Sequence, residues 1–159
     1  MPTIKIAFHI EEKGFKHFFD HLITFFAGKP FTHAELVFCD GNCCSASTRD
    51  GGVRYKKITF RPEAWAFIEL PIKEGDEEKM KAFCDQHIGK KYDYLGAIGF
   101  ALPIGDDDRK WFCSEIVIDA LKVVGFLPDA QSSKIGPSKL YRLLANLVGK
   151  DATSGIQPD

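Results

Sequence analysis

The chain has 159 residues, 45% of them hydrophobic and 27% charged, with a formal net charge of -1. That length suits one domain with its own core, and the composition excludes disorder over most of the chain. The near-neutral balance gives no general attraction to a polyanion, so nucleic acid is not an expected partner.

In chain order, residues 4–10 (IKIAFHI) are β-branched and partly alternating, which predicts a first strand. Residues 15–27 place Phe15, Phe18, Phe19, Leu22, Ile23 and Phe26 at helical spacing, with Gly28 and Pro30 as stop signals. Residues 32–39 (THAELVFC) read as a second strand. Asp40-Gly41-Asn42 is a turn signal. Residues 43–48 (CCSAST) then return antiparallel, in a register that sets Val37 against Ser45 and Glu35 against Ser47. After the Arg49–Gly52 turn, VRYKKITF alternates as a strand, and residues 65–72 (WAFIELPI) form another.

Residues 76–88 predict a helix that Asp76 caps, with Lys79, Phe83 and Ile88 on an amphipathic pattern. Residues 92–105 read as a short helix leading into a loop. The strongest helical stripe runs over 111–124, with apolar residues at 113, 116, 117, 120, 121 and 124. A short helix, KLYRLLANLV, follows Gly136-Pro137-Ser138. The domain is expected to occupy residues 1–149, with 150–159 as a frayed tail. Strand, helix, several strands and then mainly helices make an α+β order rather than an alternating one. Neither a GxGxxG run nor a P-loop is present.

The chain starts Met-Pro-Thr-Ile-Lys-Ile, without the features of an export signal. Its longest apolar-looking run, Tyr94 to Ile104, is too short to span a bilayer. A cytoplasmic location is therefore expected, in a bacterium or as a phage-encoded protein in its host. Five cysteines in that setting argue against a disulfide framework. Cys39, Cys43 and Cys44 lack a zinc-knuckle spacing, and 43 and 44 must face opposite sides of a strand. His17 and His21 are four apart but belong to no HExxH, and Asp106 to Asp108 do not form an EF-hand loop. No metal or cofactor is expected.

Cys113 is the sharpest candidate for chemistry. At the first turn of a helix, a thiolate gains from free backbone N–H groups and the positive end of the dipole. Those N–H groups also suit an oxyanion. His33, near the start of its strand, is the candidate base. A third group should orient the imidazole. Glu35, Ser45 and Ser47 share its sheet face, and Glu35 is chemically the strongest of them.

Three segments together, THAELVF around His33, GKKYDYLG at 89–96 and WFCSEIV around Cys113, resemble the circularly permuted branch of the NlpC/P60 papain-like superfamily. That branch includes the YiiX-type proteins and the lecithin–retinol acyltransferase group. IGPSKLYRL at 135–143 is similar to the segment that follows the nucleophile helix in the YiiX-type proteins. The resemblance spans about residues 4 to 143. It implies a small antiparallel sheet packed against a nucleophile-bearing helix, with Cys113 as nucleophile and His33 as base. It projects the third polar residue onto Ser45 or Ser47, where relatives carry a histidine or an acid. It also places Tyr92 or Tyr94 beside the cleft, where a phenol suits an oxyanion or a substrate group.

The activity this implies is thiol-dependent hydrolysis or acyl transfer on a peptide, amide or lipid-amide substrate. The alternative is a non-catalytic binding or structural module on the same fold. The sequence does not fix an oligomeric state.

Overall fold

The computed structural model describes residues 1–10, 31–92, 110–111 and 113–154. The helix expected over 15–27 and the segment expected over 93–105 lie outside the described residues. Five strands form one antiparallel sheet: β1 (Thr3–Ile10), β2 (Phe31–Val37), β3 (Asn42–Ser47), β4 (Gly52–Lys57) and β5 (Trp65–Pro71). Their order is β4-β3-β2-β1-β5. Helix α1 (Asp76–His87) follows, then two short parallel strands, β6 (Lys91–Tyr92) and β7 (Lys110–Trp111). Helix α2 (Cys113–Lys122), a 3-10 turn (Ser132–Lys134) and helix α3 (Pro137–Ser154) complete the described chain. The fold is therefore mixed α+β.

The sheet sorts its side chains by the period of two. Ile4, Ile6 and Phe8 of β1, Ala34 and Leu36 of β2, Cys44 and Ala46 of β3, and Ile68 and Leu70 of β5 form one buried face. Ile116, Val117, Ala120 and Leu121 of α2 belong to the same core, with Leu140 and Leu144 of α3 and Met80 and Cys84 of α1. Phe8, Phe31 and Tyr141 add an aromatic triad with ring centroids 4.5–5.5 Å apart, which clamps α3 onto β1 and β2. The stripe expected for residues 113–124 is thus the buried face of α2, although the helix ends at Lys122.

Four local expectations need correction. The β2–β3 hairpin pairs Val37 with Cys43 and Leu36 with Cys44, so Ser45 rather than Ser47 continues opposite Glu35. The turn closes one residue earlier than expected: Phe38 N–H donates to Asn42 O at 2.9 Å and Gly41 N–H to Phe38 O at 3.0 Å. The fourth strand stops at Lys57 instead of running to Phe60.

In α1 the N-cap is Gly75, in the left-handed region, and Asp76 is the first helical residue. Its carboxylate instead accepts Lys73 N–H at 3.0 Å and Lys79 Nζ at 2.9 Å. The helix accordingly buries Asp76, Met80 and Cys84, while Ile88 is exposed. Finally, α3 continues to Ser154, through residues expected to fray.

Candidate active site

His33 and Glu35 stand two apart on β2 and point to the face opposite Ala34 and Leu36. His33 Nε2 lies 2.7 Å from Glu35 Oε1. The Glu35 side chain is 1% exposed and the His33 side chain 24%, so the carboxylate is buried and the imidazole reaches solvent. A buried carboxylate needs partners. Arg54 of β4 supplies a two-pronged one, donating from Nη1 to Oε2 at 2.8 Å and from Nη2 to Oε1 at 2.5 Å. The register explains the reach: Arg54 pairs with Ser45, and Ser45 continues opposite Glu35, so the three lie in line across three strands. Arg54 Nε also donates to Asp50 Oδ2 at 2.8 Å, and Lys56 Nζ lies 3.3 Å from Asp50 Oδ1.

Electrostatics follow from this chain of charges. Burial works against a charged Glu35, but the Arg54 hydrogen bonds and the His33 charge overcome it and hold the carboxyl below its usual range. Burial likewise works against a charged His33. Glu35, and next Cys113 by charge and hydrogen bonding, outweigh it and lift the imidazole to about 10. Of these two groups, Glu35 is in direct hydrogen-bond contact with the ring, at 2.7 Å.

Cys113 opens α2 and is 2% exposed. One contact fixes where its helix begins, and another where β2 begins. Ser114 Oγ donates to Ile135 O at 2.6 Å. Ser138 Oγ, three residues further on, accepts Phe31 N–H at 3.1 Å and donates to Phe31 O at 3.3 Å. The segment 135–138 thus holds the start of the Cys113 helix and the start of the His33 strand together. This gives a physical role to the Ile-Gly-Pro-Ser run at 135–138.

A second brace comes from the other side. β7 lies beside β6, and the residues leading into β6 are tied to β4 through Val53 N–H to Lys90 O at 2.8 Å and Gly89 N–H to Val53 O at 2.9 Å. Gly52, at φ +150°, makes that approach possible, because a Cβ there would collide with the Lys90 carbonyl.

The remaining sequence candidates separate. Ser45 is buried and donates to Ala34 O at 2.6 Å, so its hydroxyl serves the hairpin backbone; the side chain hydrogen-bonded to His33 is Glu35. Ser47 accepts Asp50 N–H at 3.4 Å in the turn and pairs with Gly52. Tyr92 contributes its backbone to β6, and Tyr94 lies outside the described residues. The five cysteines are free thiols. His87 bonds its own helix through Nδ1 to Phe83 O at 2.7 Å.

Arg54, Asp50, Ser114 and Ser138 were not singled out from the sequence. Arg54 was findable only through the β3–β4 register. Ser138 carries a cue in its place beside Pro137. A scan against models of known protein families and a search of curated proteins both found no match.

Proposed function

We propose that this chain is a cysteine hydrolase on a permuted papain-like NlpC/P60 fold, with Cys113 as nucleophile, His33 as base and Glu35 as orienter. One observation carries the reading: His33 bonds a buried carboxylate through Nε2, on a strand packed against the helix that Cys113 opens. An imidazole so placed keeps its proton through neutral pH and can hand it to a leaving group.

In that state Cys113 Sγ attacks the substrate carbonyl carbon and a C–S bond forms. The oxyanion takes hydrogen bonds from backbone N–H groups at the start of α2. His33 gives its proton to the leaving nitrogen or oxygen as the acyl bond breaks. Neutral His33 then takes a proton from water as that water attacks the thioester, and Cys113 leaves as thiolate. Glu35 holds the ring orientation throughout. Peptides, amides and lipid amides are the substrate classes in view, processed in the cytoplasm of a bacterium or of a phage host.

The test is capture of the acyl-enzyme with p-nitrophenyl acetate. Intact-mass and peptide analysis should find one acetyl group on Cys113, absent in Cys113→Ala and formed more slowly in His33→Ala. Acetylation spread over other residues, or a rate indifferent to His33, contradicts the reading.

A further inference from the structure

We infer that Arg54 is a positioning residue of this site: its guanidinium fork, braced by Asp50, holds Glu35 charged and aimed at His33. The inference deepens the hydrolase reading and rests on it for its catalytic meaning, while the geometry stands by itself.

Neighbours at i and i+2 on one strand point out of the sheet in parallel, so nothing in β2 alone turns the Glu35 carboxylate onto its neighbour. Burial also opposes its charge. Arg54 addresses both problems. It binds both oxygens of the carboxylate, at 2.8 and 2.5 Å, and leaves Oε1 shared with His33 Nε2 at 2.7 Å. A planar fork fixes the carboxylate plane as well as its charge, which a lysine ammonium does not.

The fork is itself fixed. Its third nitrogen is held by Asp50 at 2.8 Å, and Lys56 lies 3.3 Å from the other Asp50 oxygen. A line of alternating charge therefore runs from Lys56 through Asp50, Arg54 and Glu35 to His33. It starts on the surface, where the Lys56 side chain is 46% exposed, and ends at the His33 ring.

Two roles for Arg54 predict opposite signs. A bystander cation near an imidazole repels its proton, so removing the cation raises the His33 titration midpoint. A positioning residue acts through Glu35. Without it the buried carboxyl protonates or turns away, and the His33 midpoint falls.

The experiment follows the His33 ring by NMR across pH in the full-length protein, as wild type, Arg54→Met and Arg54→Lys. In parallel, acetylation of Cys113 by p-nitrophenyl acetate is timed across the same range. For Arg54→Met the expected result is a midpoint lower by about 1 unit or more. Acylation should also slow by about tenfold or more. Arg54→Lys keeps the charge without the fork and should fall between the two; it also carries the test if the Met variant does not fold.

A midpoint that rises or stays in Arg54→Met, or full wild-type behaviour in Arg54→Lys, overturns the inference. The two claims fail separately. If wild-type Cys113 forms no acyl-enzyme but the midpoint falls as expected, the positioning geometry stands and the hydrolase reading is lost.

Discussion

The two faces of the central sheet are built by different physics from the same strands. On β2, Ala34 and Leu36 face a core of aliphatic and aromatic side chains, while His33 and Glu35 face a line of charges ending at Asp50 and Lys56. The apolar face gains from every buried methylene, and its members are replaceable by others of similar volume. On the polar face each group depends on its neighbours, because a buried charge without its partner is costly. One strand thereby joins an apolar surface to a charged one, and a substitution should reveal which face it touches.

The largest effect is expected on the apolar face. Leu36→Ala should cost about 2–5 kcal/mol of stability. Urea unfolding measures this, and the folded fraction should keep its Cys113 reactivity. Loss of that reactivity in fully folded protein would break the separation between the faces.

The polar face should instead write itself into the pH dependence of stability. The folded pKa of His33 is raised from 6.5 to about 10, so its contribution is full below 6.5 and disappears as pH climbs through 10. Glu35 is depressed from 4.5, so its contribution is full above 4.5 and is lost as pH falls through its lower folded value. Both contributions are complete between 4.5 and 6.5. Thermal melting across pH should show its plateau there, and His33→Ala should flatten the alkaline decline. An unchanged alkaline limb in that variant would remove His33 from the charged network.

The smallest effect is expected at Ser45. Ser45→Ala removes a hydroxyl bonded to Ala34 O and should cost about 1 kcal/mol. The His33 titration should stay where it is. A moved midpoint would return Ser45 to the site as an orienter.

These contrasts also explain what could be read from the sequence. Alternation exposed the apolar face of the strands, and 3.6-residue periodicity exposed the stripe of α2, because both are local. The hairpin register was misjudged by two residues along β3, since a turn of Cys39-Asp40-Gly41 replaces the expected one. A slip of two keeps every side chain on its own face, so His33, Glu35 and Ser45 were still grouped correctly. The slip did change who stands opposite Glu35, and with it the line that admits Arg54.

In α1 the buried face was misread because Asp76, held by Lys73 and Lys79, sits on the inner side with Met80 and Cys84. The braces at Ser114 and Ser138 join residues 21 and 107 positions apart, distances over which no local pattern reports.

The central claim is that His33 activates a nearly buried thiol, and Cys39 provides an internal control. Cys39 is exposed, whereas Cys113 is 2% exposed. The decisive measurement is the rate of iodoacetamide alkylation at each cysteine, resolved by peptide mass spectrometry from about pH 6 upward. Cys113 should react faster than Cys39 at the acidic end and fall behind it in His33→Ala. Alkylation rates that follow exposure alone, with Cys39 leading at every pH and His33→Ala changing nothing, would contradict the account.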